Sequence, residues 1–149
     1  MEKLLPENIT TQIQQVFQQL KHPVQMLLFV SQDDSCLYCA ETRQLLEEVT
    51  ELSDLLSLSV HDLADEPDLA KLYQVEGKAP SVVIAAKEGG QITDYGIRYL
   101  GIPSGHEFTT LIQDLILVSS RDSGLSPQLR EYVKNLSKPL HLQVFVTPT

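Results

Sequence analysis

The stretch that decides the fold is Val24-Gln25-Met26-Leu27-Leu28-Phe29-Val30-Ser31-Gln32-Asp33-Asp34-Ser35-Cys36-Leu37-Tyr38-Cys39. Its first seven residues are an almost unbroken apolar run of strand length, and a strand covered on both faces loses its polar alternation. The polar loop from Ser31 to Ser35 follows, with Ser35 as a candidate N-cap. Cys36 then opens a helical pattern reaching to Leu52, in which Leu45, Leu46, Val49 and Leu52 form one stripe.

Working outward, residues 10–20 place Ile13, Val16, Phe17 and Leu20 at helical spacing behind threonine cap candidates, and Lys21-His22-Pro23 ends that helix. Residues 56–63 read as a second strand and residues 65–73 as a short helix. Lys78-Ala79-Pro80-Ser81 leads into a third strand over residues 82–86. Glu88-Gly89-Gly90-Gln91 is a hairpin turn signal, and residues 92–100 return as a fourth strand. Gly101-Ile102-Pro103-Ser104-Gly105 precedes a helix from His106 to about Ser119. A β-α-β half followed by a β-β-α half predicts an α/β domain with a mixed central sheet.

The chain's opening pattern recurs at its end. Displaced by 116 positions, TTQIQQVFQQLKHPVQMLLFVS (from Thr10) lies on SPQLREYVKNLSKPLHLQVFVT (from Ser126), with Gln12, Leu20, Pro23, Phe29 and Val30 repeated as Gln128, Leu136, Pro139, Phe145 and Val146. We therefore expect residues 1–120 to form one domain and residues 121–149 to open a second, incomplete repeat. Residues 140–146 would be a strand built for a sheet that is not there. Its expected fates are disorder, docking on its own domain's sheet edge, or a dimer through a second molecule.

Bulk composition narrows the function. A net charge of −9 with scattered lysines and arginines excludes a phosphate-gripping surface, so no nucleic-acid partner is expected. The longest apolar run is far shorter than the roughly 20 residues of a membrane helix, and residues 1–6 do not read as a secretory leader. No membrane partner and a cytoplasmic address are the expectations. Just two cysteines, three positions apart, point to chemistry more than to a stapled framework.

Three chemistries compete for that pair. A structural zinc needs four ligands, but there is no second CxxC, and His22, His61, His106 and His141 show no ligand spacing. Two inert packed thiols are the second reading. The third is thiol–disulfide exchange, favoured by the position of the pair after a strand and at a helix start. There, unpaired N–H groups and the helix dipole stabilise a thiolate at Cys36, whereas Asp33 and Asp34 oppose it. Cys39, one turn on, falls within the roughly 4.4–6.8 Å Cα separation that a disulfide tolerates. Cys36 would attack a substrate disulfide, and Cys39, expected to be more buried, would resolve the mixed disulfide. Tyr38 would face the substrate. His106, Arg98 and Tyr99 read as surface or sheet residues.

Cys36-Leu37-Tyr38-Cys39 resembles a glutaredoxin-type active site, with tyrosine before the second cysteine as in CPYC. The wider pattern resembles the N-terminal unit of the prokaryotic protein disulfide oxidoreductases, or glutaredoxin-like domain proteins. It rests on residues 23–30 with the following CxYC, Tyr73-Gln74-Val75 through Ala79-Pro80, residues 95–108, and Val144-Phe145-Val146-Thr147-Pro148-Thr149. The resemblance implies a thioredoxin fold, with Cys36 as nucleophile, Cys39 as resolving thiol and Pro80 as a cis-proline. With a cis bond before Pro80, the Ala79 backbone would lie beside the thiols and pair with an extended substrate. It implies disulfide- or dithiol-containing protein partners, a thioredoxin reductase-like flavoprotein or glutathione as electron donor, and no bound cofactor. An electron-relay domain like that of the peroxiredoxin-reducing flavoproteins, or a glutathione-dependent glutaredoxin, are the neighbouring readings. The chain departs from the pattern in lacking a second CxxC, in carrying Leu37 where proline is common, and in having no tryptophan before Cys36. It also has no acid within residues 24–30.

Overall fold

The computed structural model describes residues 3–33 and 36–147. Its elements are α1 (Glu7–Phe17), β1 (Val24–Val30), α2 (Cys39–Thr50), β2 (Leu56–Asp62), α3 (Pro67–Leu72), β3 (Ser81–Glu88), β4 (Gln91–Leu100), α4 (His106–Ser120) and α5 (Pro127–Lys134). The sheet has four strands in the order β2-β1-β3-β4. β1 runs parallel to β2, Val24 opposite Leu56 and Val30 opposite Asp62, and antiparallel to β3, Val24 opposite Ala86 and Phe29 opposite Ser81. This mixed, helix-flanked sheet is the expected α/β architecture, a thioredoxin fold.

The unbroken apolar run of β1 has the predicted cause. Val24, Met26 and Leu28 pack on one face with Ile13 and Phe17 of α1, Leu45, Leu46 and Val49 of α2, and Leu111, Leu115 and Val118 of α4. Leu27 and Phe29 pack on the other with Ala70, Tyr73 and Val75 in and after α3, and with Val83 and Ala85. The β3–β4 hairpin turns on Gly89 and Gly90, both at positive φ as a tight primed turn requires. A bulge sets Tyr95 and Gly96 outside the ladder, so that Ile84 faces Ile97 and Ala85 faces Asp94.

Three elements depart from the sequence reading. α1 spans Glu7–Phe17 behind Pro6, with Thr10 and Thr11 inside it rather than capping it. α2 begins at Cys39, not Cys36, because Leu37 and Tyr38 form a turn and Tyr38 takes the N-cap position with non-helical dihedrals. Ser35, the expected cap, lies outside the described residues. The expected strand over residues 140–146 does not form. Residues 140–147 carry no strand assignment, and Leu142, Val144, Phe145 and Val146 are each at least 80% exposed. A strand exists through its ladder, and no described backbone lies alongside to supply one. Docking on the domain's own sheet edge is therefore not the fate observed.

Side chains clamp the layers together. Glu48 on α2 accepts the Leu4 and Leu5 amides at 2.9 and 2.8 Å, fastening the N-terminal segment. Ser119 on α4 accepts the Lys21 and His22 amides and donates to the His22 carbonyl. Arg98 donates to Asp94 at 2.6 Å and to the Tyr73 carbonyl at 2.8 Å, and lies over the Tyr73 ring. The Tyr99 hydroxyl donates to Asp114. Arg98 and Tyr99 thus serve the sheet, as expected.

Leu46 is fully buried, so Leu46→Ala should cost about 2–5 kcal/mol, read from the guanidinium midpoint. The Arg98 hydrogen bonds, helped by the Gly96 amide and opposed by partial burial, hold the Asp94 carboxyl below its ordinary range. A depressed folded-state pKa contributes stability that is present above the unfolded value of about 3.9 and is lost as pH falls through the folded value. Asp94→Asn should cost about 1 kcal/mol at pH 7 and make the decline in stability below about pH 4 shallower than in the unchanged chain.

Candidate active site

β1 delivers the chain to the loop that carries the thiols. The Ser31 hydroxyl accepts the Asp33 amide, and the Asp33 carbonyl accepts the Cys36 amide at 3.0 Å, which bends the backbone back toward the sheet end. Leu37 and Tyr38 form the turn, and α2 starts at Cys39. Fully buried Thr42 pins that start, since both its amide and its hydroxyl donate to the Tyr38 carbonyl, at 2.9 and 2.6 Å. Cys36 and Cys39 are joined as a disulfide with their Cα atoms 5.6 Å apart.

Cys36 therefore lies just ahead of the helix, still beside its N-terminal N–H groups and the positive end of its dipole. Both cysteines are half-buried, so exposure does not distinguish the nucleophile from the resolving thiol as expected. Leu37 is 77% and Tyr38 54% exposed, making an apolar rim in front of the disulfide. Asp33 is exposed, and Asp34 lies outside the described residues.

The second half of the site arrives from β3. Because β3 is antiparallel to β1, its first residue, Ser81, pairs with Phe29 near the last residue of β1. The Ala79–Pro80 peptide is cis, as the resemblance implied. Pro80 is buried, and its carbonyl accepts the Gly101 amide at 2.8 Å. Ala79 is half-buried, and its backbone makes no hydrogen bond among the described residues. The disulfide loop and the proline loop thus occupy one end of the sheet.

His106 opens α4 as an exposed residue. His61 belongs to the opposite sheet face, stacked on Phe29 and bonded to Glu66 and Ser59 at 2.8 Å each. Among the described residues no cluster of His, Cys, Asp and Glu could hold a metal, and no helix is long and apolar enough to cross a membrane. One residue of this region was missed in the sequence reading. Asp62 closes β2 opposite Val30. One of its oxygens accepts the Ala64 amide, and the other is buried with no partner among the described residues. The alternation Leu58, Val60, Asp62 along β2 is the signal that would have marked it as inward-facing.

The fold and the disulfide define a class: this is a thioredoxin-fold module that carries a CxxC disulfide. Its relatives make the likeness more particular. The chain is 30% identical over 142 residues to the alkyl hydroperoxide reductase AhpF of Xanthomonas campestris pv. phaseoli, covering 95% of this chain and 23% of that protein. It is 25% identical over 146 residues to the AhpF of Staphylococcus aureus (strain MRSA252), covering 98% of this chain and 25% of that protein. Among solved structures, the NTD_N/C domain of alkylhydroperoxide reductase AhpF from Enterococcus faecalis (V583) superposes with a TM-score of 0.76 at 31% identity, covering 90% of this chain and 62% of that one. A protein disulfide oxidoreductase from Aeropyrum pernix K1 superposes with a TM-score of 0.74 at 25% identity, covering 88% of this chain and 55% of that one. No family model matches the chain. The chain thus spans about a quarter of the curated relatives' length and little more than half of these structural neighbours.

Proposed function

We propose that the chain exchanges disulfides with protein partners through Cys36 and Cys39. The observation that carries this reading is the CxxC disulfide placed at the start of α2 and at the same sheet end as the cis Ala79–Pro80 loop. In the reducing direction, the Cys36 thiolate attacks one sulfur of a substrate disulfide. The new bond joins Cys36 to the substrate, and the other substrate sulfur leaves as a thiolate and takes a proton. Cys39 then attacks Cys36, the Cys36–substrate bond breaks, and the substrate departs as a dithiol. Two electrons have passed from Cys36 and Cys39 to the substrate, and the Cys36–Cys39 disulfide is re-formed. Leu37 and Tyr38 supply apolar contact, and the Ala79 backbone beside buried Pro80 pairs with the substrate main chain.

A second reading is favoured by the curated relatives, each an alkyl hydroperoxide reductase AhpF. The same exchange then forms one step of an electron relay, in which a flavoprotein reduces the disulfide and the dithiol passes its electrons to a hydroperoxide-reducing protein. We place this cycle in the cytoplasm, where two lone thiols three residues apart suit a reducing compartment better than a stapled scaffold would. We also propose that residues 121–149 open a second thioredoxin-like repeat. Leu129, Val133 and Leu136, the repeat equivalents of buried Ile13, Phe17 and Leu20, are all exposed here.

Titration against glutathione or dithiothreitol, with thiols counted by intact mass, should give one two-electron transition within roughly −270 to −200 mV. Cys36→Ser should abolish reduction of protein disulfides, and Cys39→Ser should accumulate a mixed disulfide at Cys36. Thiols that stay reduced in oxidising buffer would overturn the exchange reading. If the domain boundary is right, removing residues 127–149 should change unfolding free energy by no more than about 0.5 kcal/mol. A loss of about 2 kcal/mol or more would mean that this segment belongs to the first unit.

A further inference from the structure

β2 carries a row of polar side chains that the exchange cycle above does not use. Ser57, Ser59 and His61 alternate onto one face of this outer strand, in register with Gln25, Leu27 and Phe29 of β1. Leu27 and Phe29 belong to the cluster on the side of the sheet away from α2. Ser59 and His61 are half-buried, and Glu66, just before α3, is exposed.

His61 stands between two partners. Its Nδ1 lies 2.8 Å from Glu66 Oε1, and its Nε2 lies 2.8 Å from Ser59 Oγ. A carboxylate only accepts, so in the neutral ring Nδ1 carries the proton and Nε2 accepts from the Ser59 hydroxyl. The ring is set by packing on Phe29. Glu66 is set by its backbone, whose amide donates to the Asp62 carbonyl and whose carbonyl accepts the Ala70 amide. On the far side of Ser59, buried Gln25 donates from Nε2 to Ser59 Oγ at 3.2 Å. Gln25 Oε1 accepts from Ser57 Oγ at 2.8 Å and from Lys87 Nζ at 3.2 Å, which turns the amide N–H toward Ser59. Satisfying Gln25 alone would need no carboxylate behind the imidazole. A hydroxyl bonded to a base, and that base oriented by a carboxylate, is the arrangement that activates serine for acyl transfer.

We propose that Ser59, His61 and Glu66 form a second reactive centre, which takes an acyl group from small activated esters. It is independent of the thiol chemistry. Ser59 Oγ–H gives its proton to His61 Nε2 while Oγ bonds to the acyl carbon. The ester C–O bond breaks, and the leaving oxygen takes the proton from His61. Water then gives a proton to His61 and bonds to the acyl carbon, and Ser59 Oγ departs with that proton. Glu66 holds the ring and stabilises it while it is charged, and the Gln25 N–H steadies Oγ. Ser59 and His61 are reached from the rim of the sheet and are half-buried, which suits a short acyl group.

The full chain in its disulfide form, so that no thiolate competes, is mixed with p-nitrophenyl acetate. Nitrophenolate release is followed, and the acetyl group is located by peptide mass. The acetyl group should be found on Ser59. Ser59→Ala should abolish that acylation while its Cys36–Cys39 disulfide is reduced by dithiothreitol at the unchanged rate. His61→Gln should slow the acylation about a hundredfold or more, the contribution of a general base. Acetyl groups on lysines with Ser59 unmodified, or an unchanged rate in His61→Gln, would overturn the proposal and leave these residues as a framework for Gln25. The unchanged chain gives a check that needs no substitution. Ser59 acylation should cease when the chain is unfolded in urea, and acylation persisting at the same rate would also overturn the proposal.

Discussion

The structure depends on β1 being hydrogen-bonded along both edges. It pairs parallel with β2 on one side and antiparallel with β3 on the other, and Val24, Met26, Leu28 and Phe29 are wholly buried. Parallel pairing obliges the chain to cross back before β2, which α2 accomplishes over one face of the sheet. Antiparallel pairing brings the end of β1 to the start of β3. These two connections place a helix start, a disulfide and a proline loop together, although Cys36 and Pro80 are far apart in sequence.

The site is built from backbone as much as from side chains. Thr42 ties the start of α2 to the Tyr38 carbonyl, and the Pro80 carbonyl is held by Gly101 at the end of β4. Both loops are thereby fixed to rigid elements, while Leu37, Tyr38 and the Ala79 backbone stay available.

The terminal repeat shows how far local pattern carries. α5 forms where the repeat places a helix, because Ser126 caps it, Pro127 occupies its first turn and its hydrogen bonds are internal. Residues 140–146 repeat the closing Phe-Val of β1 in an apolar-rich stretch of the same length, yet they form no strand. A helix satisfies its backbone within its own segment, whereas a strand needs a neighbour. The same asymmetry explains why every strand of the main sheet was legible to within about two residues, as boundary priors allow, once its neighbours existed.

By itself, the sequence determined the order of elements, the mixed sheet, the hairpin at Gly89–Gly90 and a pair of cysteines close enough to be joined. These follow from periodicity, turn residues and thiol spacing, which are local properties. Only the tertiary structure decided that α2 starts at Cys39, that both cysteines are half-buried, and that Asp62 holds one oxygen buried with no partner among the described residues. Each of these is a matter of which atoms from distant segments come within hydrogen-bonding or packing range. Strand register and helix crossover set that distance, and no single segment carries it.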